Sequence, residues 1–142
     1  YSIEDGNINV GRVLADKTNL FGLYVNNKNG GLLEDGVVKD SFNNSHTNAF
    51  INYAHNSDIT FVLDGKYSKL KISAAIREGC DASLTASFTV KTDDGEVVYS
   101  SPAMSVKTVT DIPINNCKLL TIECNADRYD QDLILYDAVV YN

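Results

Sequence analysis

Apolar and polar residues alternate strictly along several segments of the chain. In one of them every second side chain is apolar: Leu70, Ile72, Ala74 and Ile76. The same pattern occurs in residues 59–63, 84–91 and 120–124. Alternation with period two predicts strands that bury one face on a core and expose the other to water. We therefore expect antiparallel sheets.

Turn-forming residues separate these segments. Asp64-Gly65, Asp94-Gly95, Asp35-Gly36 and residues 29–31 supply residues that adopt positive φ easily, and Asn115-Asn116 is a weaker signal of the same kind. No stretch shows an apolar stripe at helical spacing. The expected strands are 21–25, 32–38, 48–54, 58–63, 69–77, 83–91, 96–100, 104–112, 118–124 and 132–141. Short strands with short turns predict an all-β fold, an antiparallel β-sandwich of the jelly-roll type.

The last expected strand, residues 132–141, is apolar on both faces. A strand of this kind is usually central in its sheet and covered on both sides. Asp137 lies within it, so we expect this carboxylate to be partly buried. A buried carboxylate needs hydrogen bonds, a cation or a proton, so Asp137 is also a candidate ligand for a structural metal ion.

Length and charge narrow the class of protein. The 142 residues suffice for one domain with its own core, and no apolar run approaches the roughly 20 residues of a membrane helix. The net charge of −7, with scattered Lys and Arg, argues against nucleic-acid binding and favours a monomer. Because the sequence starts at Tyr1, we expect residues 1–142 to be a single domain excised from a larger secreted protein.

The three cysteines do not suggest a disulfide framework or a zinc site, because their number is odd and no CxxC spacing occurs. Cys117 and Cys124 flank one expected strand. Seven residues at roughly 3.3 Å each separate their Cα atoms by about 23 Å, far more than the roughly 5.5 Å of a disulfide. Cys124 shares the parity of Leu120 and Ile122, which predicts a buried, inert thiol. A link from Cys80 to either of the others stays open.

Little in the sequence indicates catalysis. No GxSxG, HExxH or phosphate-binding glycine loop occurs. Both histidines, His46 and His55, lie in a segment rich in Asn and Ser, and we expect exposed loop residues, with contact to a ligand as the alternative. We therefore expect a domain that is not an enzyme and needs no cofactor.

Rings mixed with polar side chains suggest sugar binding, because a flat ring packs on the C–H face of a pyranose while neighbours bond its hydroxyls. Tyrosines at strand ends more often pack on the rim of a core, so the polar neighbours matter. The resulting candidate carbohydrate-binding residues are Tyr53, His55, Asn56, Arg77, Glu78, Tyr129, Asp130 and Asp132. The acidic loop at 127–132 could hold Ca²⁺, but the EF-hand spacing is absent and a solvated loop is favoured.

One segment also resembles a known family. Residues 48–67, which end in Leu-Asp-Gly-Lys-Tyr, look like the central signature of NPCBM domains. The segment 94–101, the strand at 118–123 and the ending Tyr-Asp-Ala-Val at 136–139 are similar in order and spacing, so the resemblance covers residues 48–141. The chain departs from the family where it lacks Trp, since the family's late acidic residue and Trp fall at Ile134 and Leu135.

The resemblance implies a jelly-roll, galactose-binding-like fold and a non-catalytic accessory domain of a secreted bacterial glycoside hydrolase or surface protein. The implied partners are glycans, either galactose-type or plant cell-wall sugars, at an extracellular or cell-surface location. The alternative is a structural or protein-interaction β-sandwich module of an adhesin or scaffold that has no sugar site.

Overall fold

A computed structural model describes residues 17–53, 55–80, 86–101, 106–126 and 132–142. These ranges form β-strands joined by turns and two short 3₁₀ segments, Leu20–Gly22 and Asp93–Gly95. The strands are β1 Thr18–Asn19, β2 Val25–Asn29, β3 Gly31–Glu34, β4 Val38–Lys39, β5 Ser45–His46, β6 Ala49–Asn52, β7 Asn56–Val62, β8 Lys69–Ile76, β9 Ala86–Lys91, β10 Val97–Ser100, β11 Val106–Pro113, β12 Leu119–Ala126 and β13 Leu133–Tyr141.

The strands form two antiparallel sheets and a small hairpin. The six-stranded sheet has the order β11-β8-β13-β6-β3, and β1 pairs with the far part of β13. The five-stranded sheet has the order β10-β9-β12-β7-β2, and β4 pairs only with β5. The predicted all-β antiparallel sandwich is confirmed. No helix in the described ranges is long and apolar enough to span a bilayer.

The alternating segments bury their apolar sides between the two sheets, as predicted. Phe50, Phe61 and Phe88 are all buried in this main core. A second, smaller cluster lies on the outer face of the six-stranded sheet and includes Val38 and Ile134. Strand β13 contributes residues to both clusters. This confirms that both of its apolar faces are covered.

Three predictions about local structure are wrong. The expected strand at 32–38 is two strands, because β3 ends at Glu34 before the Asp35-Gly36 turn and the chain then pairs with β5 from Val38. The expected strand at 21–25 is displaced: residues Leu20–Gly22 form a 3₁₀ turn, and the strand runs over Val25–Asn29. This edge strand is mostly polar and exposed, so it lacks the alternation that reveals the other strands. Asp137, expected to be partly buried, is exposed. It has φ of 49° and lies where the register of β13 with β8 shifts, between Tyr136 and Val139. This bulge turns the carboxylate away from the covered faces.

The cysteines are free thiols. Cys124 is buried in the main core, as predicted, and burial raises the pKa of its thiol to about 12. Burial likewise raises the pKa of Cys117 to about 11. Cys80 is half-buried. Thiols protonated at neutral pH are poor nucleophiles, which is consistent with Cys124 and Cys117 serving as small apolar core residues.

Candidate functional site

Three neighbouring strands of the six-stranded sheet end together, and each carries a predicted site residue there. In the register of the sheet, Leu133 lies opposite both Ile76 and Asn52. Arg77, Asp132 and Tyr53 are each one residue beyond this row, so they lie side by side at one end of the sandwich, called here the loop end. The backbone N–H of Arg77 donates to the Asp132 carbonyl at 2.9 Å, which continues the β8–β13 pairing.

An ion pair between side chains connects two of these residues. Arg77 Nη1 donates to Asp132 Oδ2 at 2.9 Å. The Arg77 side chain is 44% exposed and that of Asp132 15%. The backbone N–H of Asp132 also contacts the Cys80 sulfur at 3.4 Å. The pair therefore holds a planar donor group, which is partly exposed to solvent, and a more buried carboxylate acceptor in a fixed arrangement.

This pair lines an open cleft of about 520 Å³, which we call the Arg77 cleft. Its other walls come from the segment that leads into β4, from β4 and from the turn after β8: Val37, Val38, Lys39, Glu78, Gly79 and Cys80. The backbone N–H of Glu78 donates to the Lys39 carbonyl at 2.8 Å and holds the two segments together. The cleft contains charged groups of both signs, which can donate to and accept from a polyhydroxylated ligand.

A buried carboxylate, that of Asp40, lies next to this cleft. Asp40 is 1% exposed and pairs with Arg77 through an isolated backbone bridge. Its side chain accepts hydrogen bonds from the backbone N–H of Phe42 (2.9 Å), from that of Asn44 (3.0 Å) and from His46 Nε2 (2.8 Å). Burial alone would raise the pKa of Asp40, but these hydrogen bonds outweigh it and hold the pKa below its ordinary value.

His46 is consequently not the exposed loop residue that was expected. Its side chain is only 12% exposed, and its ring stacks on Tyr136 with the centroids 3.6 Å apart. Tyr136 is 8% exposed, and burial raises the pKa of its phenol. Asp40, His46 and Tyr136 together fix the 40–46 segment against the outer face of the six-stranded sheet.

Tyr53, His55 and Asn56 lie at the same end of the sandwich, where the chain passes from β6 to the five-stranded sheet. Tyr53 is 53% exposed. The His55 carbonyl accepts from the Ala126 N–H at 2.9 Å, and the Asn125 amide donates to Asn56 Oδ1. Asn56 lines a separate open cleft of about 320 Å³, which we call the Asn56 cleft.

The structure thus brings Arg77, Glu78 and Asp132 into one cleft and places Asn56 in another. Tyr53 and His55 lie in the connection between the two sheets. Tyr129 and Asp130 lie outside the described residues. In the described part of the chain, no group of three or more His, Cys, Asp or Glu side chains could hold a metal ion. Asp137 as a metal ligand stays a prediction without a ligand set around it.

Two residues of the Arg77 cleft and its surroundings, Lys39 and Asp40, were not predicted from the sequence. Lys39 gave no signal, because an isolated lysine resembles any solvated residue. Asp40 had one available signal, since an aspartate ahead of a Ser-Phe-Asn-Asn run favours an Asx-type turn in which its side chain accepts backbone N–H groups.

Comparisons with known proteins address the fold. No family model matches the sequence, and no curated protein sequence matches it. Solved structures do match: the CBM51-2 and INT domains of Clostridium perfringens ZmpB superpose with a TM-score of 0.67 at 15% identity over 89% of this chain. The same domains are known in complex with GlcNAc. This chain spans 31% of the ZmpB chain.

Two further matches carry the same module. The CBM51 of the Clostridium perfringens GH95 protein, in complex with methyl-galactose, has a TM-score of 0.63 at 20% identity and covers 87% of this chain and 99% of its own. The tandem CBM51 modules of Sp3GH98 from Streptococcus pneumoniae have a TM-score of 0.66 at 14% identity, covering 89% of this chain and 47% of theirs. By fold, the chain is therefore a galactose-binding-like β-sandwich similar to CBM51 modules.

Proposed function

We propose that this domain is a non-catalytic carbohydrate-binding module that attaches a secreted or surface bacterial protein to glycans. The observation that carries the proposal is the loop end, where the Arg77–Asp132 ion pair lines the charged Arg77 cleft. The exposed Tyr53 is the next residue across the sheet in the register of β13 with β6. The similarity in fold to modules solved with methyl-galactose and GlcNAc supports it.

The mode of binding follows from the exposed groups. The guanidinium of Arg77 and the ammonium of Lys39 would donate to sugar hydroxyls, and the carboxylates of Asp132 and Glu78 would accept from them. The Tyr53 ring would cover a C–H face of the same sugar or of the next one. Because the cleft is open and wet, binding is weak, in the millimolar to high micromolar range expected of small polar contacts.

The proposal also includes the class of glycan, the oligomeric state and the location of the domain. The ligand is a galactose-type or plant cell-wall glycan, the domain is a monomer, and it acts outside the cell as an accessory domain of the NPCBM type. Tyr129 and Asp130, which lie outside the described residues, stay predicted binding residues of this proposal. No cofactor is required for binding, and any Ca²⁺ has a structural role.

A matched pair of variants tests the proposal. Glycan-array screening identifies the preferred glycan, and calorimetry then compares wild type with Arg77→Ala and Lys71→Ala. Both variants remove one positive charge, Lys71 within β8 and Arg77 directly after it, but Lys71 is exposed away from the loop end. We expect Arg77→Ala to weaken binding about tenfold, as loss of one charge-assisted hydrogen bond predicts, and Lys71→Ala to have no effect. Equal affinities for all three proteins, or no glycan bound at millimolar concentration, would refute the proposal.

The alternative function is a structural or protein-interaction module without a sugar site. One observation favours it: the predicted residues do not share a single concavity, because Asn56 lines a different cleft from Arg77. The same array distinguishes the two, since this alternative requires that no neutral glycan binds.

A further inference from the structure

The solvent face of the five-stranded sheet carries an ordered set of polar side chains. In the register of this sheet, the outward residues Thr121, Glu123 and Asn125 of β12 each lie between an outward residue of β7 and one of β9. Thr121 lies between Thr60 and Lys91, and the next row places Glu123 between Asp58 and Thr89. The alternate residues of the same strands point into the core. The sheet therefore presents successive rows of hydrogen-bonding groups.

These rows line two clefts that share Glu123. A cleft of about 720 Å³ extends from the Asp93–Gly95 turn to Glu123, and the Asn56 cleft of about 320 Å³ continues from Glu123 to Asn125. We call the combined feature the sheet trough. Along β12 it runs from Leu119 to Asn125, six residue steps, or about 20 Å at roughly 3.3 Å per step. This length suits several consecutive sugar rings rather than one.

Side chains in the trough are held in place by one another. Thr60 Oγ1 and Thr121 Oγ1 are 2.9 Å apart, and Lys91 Nζ donates to Glu123 Oε2 at 3.0 Å. Asn29 Nδ2 donates to Asp58 Oδ1 at 3.1 Å. These hydrogen bonds hold the polar side chains in fixed positions, which lowers the entropy cost of binding a hydroxyl-rich chain.

An exposed aromatic ring flanks one end of the trough. The Val62 N–H donates to the Tyr24 carbonyl at 3.0 Å, which places Tyr24 beside Val62 on the edge strand. The next residue, Val25, packs against the core, so Tyr24 projects to the same solvent side as Val62. Tyr24 is 73% exposed and Leu119 is 40% exposed. These two side chains add exposed apolar surface beside the polar rows. An exposed ring beside polar side chains suits a sugar ring.

The charges of the lining residues limit which class of ligand can bind in the sheet trough. Carboxylates outnumber lysines among the lining residues: Asp58, Asp64, Asp93, Asp94 and Glu123 against Lys91 and Lys118. This balance repels polyanions, and the protein's net charge of −7 adds to the repulsion. The floor also lacks the buried aromatic and aliphatic centre that a protein partner needs. At its Asn125 end the trough reaches Asn56, three residues after Tyr53 in the chain.

We propose that the sheet trough binds an extended, uncharged polysaccharide chain, so that the domain binds the interior of a glycan as well as a terminal sugar. This inference rests on the proposed function and adds the class of ligand. The hydroxyls of successive rings would bond to the polar rows, and one ring would stack on Tyr24.

Calorimetry with a chain-length series tests this. The probes are β-1,4-galactan, xylan and β-glucan oligosaccharides of two to six rings, with polygalacturonate as polyanion and chitosan as polycation. We expect the affinity for one neutral series to rise at least tenfold from two to six rings. Tyr24→Ala should weaken hexasaccharide binding roughly three- to tenfold while leaving disaccharide binding unchanged. Tyr24→Phe keeps the ring and should bind like wild type.

The outcomes separate the two proposals. If affinity does not depend on chain length and Tyr24→Ala binds like wild type, but Arg77→Ala loses binding, the loop-end proposal stands and the trough proposal is wrong. If no neutral glycan of any length binds, both proposals are wrong. Binding of polygalacturonate alone would contradict the charge argument. Binding of chitosan alone would show that the trough takes a polycation, and it would overturn the proposal of an uncharged chain. Dimerisation in sedimentation experiments that Tyr24→Ala abolishes would assign the face to a second copy and overturn the trough proposal.

Discussion

Replacement of Asp40 by alanine should destabilise the domain more than replacement of any exposed aspartate. Asp40 is 1% exposed, and its carboxylate accepts three hydrogen bonds of 2.8–3.0 Å. Alanine leaves two backbone N–H groups and the His46 ring without their acceptor. Hydrogen bonds to charged groups contribute about 1.5–3 kcal/mol each but are not additive within one network. A group left without its partner costs about 1–3 kcal/mol, so the loss of the acceptor of three hydrogen bonds predicts about 3–5 kcal/mol in total.

A loss of about 3–5 kcal/mol is large against the total stability of about 5–15 kcal/mol typical of such a domain. Urea unfolding followed by circular dichroism measures it. Asp35→Ala is the matched control, because Asp35 is exposed in a nearby turn, and it should change the free energy of unfolding by less than about 0.5 kcal/mol. Equal losses for the two variants, or a loss below about 1 kcal/mol for Asp40→Ala, would refute the network as a source of stability.

The same network predicts a dependence on pH. The pKa of Asp40 is lowered in the folded state, so its contribution is fully present above the unfolded pKa of about 3.9 and is lost as pH falls through the folded pKa. The difference in free energy of unfolding between wild type and Asp40→Asn should therefore shrink below about pH 4. A difference that stays constant from pH 7 to pH 2 would contradict the assigned hydrogen bonds.

Other regions give two further predictions. A Cβ at Gly31 would lie 2.2 Å from a neighbouring phenylalanine ring, so Gly31→Ala should cost about 1–3 kcal/mol; Gly22→Ala, whose nearest contact is 4.0 Å, serves as the control in the same unfolding assay. Cys124 and Cys117, with pKa values raised to about 12 and about 11, should react with a thiol reagent at pH 8 far more slowly than half-buried Cys80. Equal free energies of unfolding for the two glycine variants would contradict the close contact at Gly31. Equal labelling rates for the three cysteines would contradict the burial of Cys117 and Cys124.

The sheets could be predicted from the sequence because burial of one face imposes period two on each strand. Strands β7, β8, β9 and β12 all carry that pattern, and the turns at Asp64-Gly65, Asn115-Asn116 and Asp94-Gly95 contain positive φ as expected. Edge strand β2 was misplaced because it buries little. The exposure of Asp137 was missed because a bulge breaks the parity that relates sequence position to sheet face.

The candidate site could be predicted only in part. Arg77 and Asp132 were identified by their polar character at strand ends, but their direct pairing depends on β8 and β13 being neighbours, which no local pattern specifies. The buried Asp40 was missed for a similar reason, since its acidic side chain is stable inside only because the chain turns back to deliver His46 and two N–H groups. Contacts across 55 residues of sequence, as between Arg77 and Asp132, follow from topology rather than from composition.

Amide chemical shifts during titration with the best-binding glycan test the loop-end site most directly. The account predicts saturable shifts at Arg77, Asp132 and Tyr53, whose groups meet where three strands end, and unchanged shifts at Lys71 on the same sheet. Saturable binding whose shifts map to β11 and leave those three residues unperturbed would contradict it, as would an array on which no glycan binds.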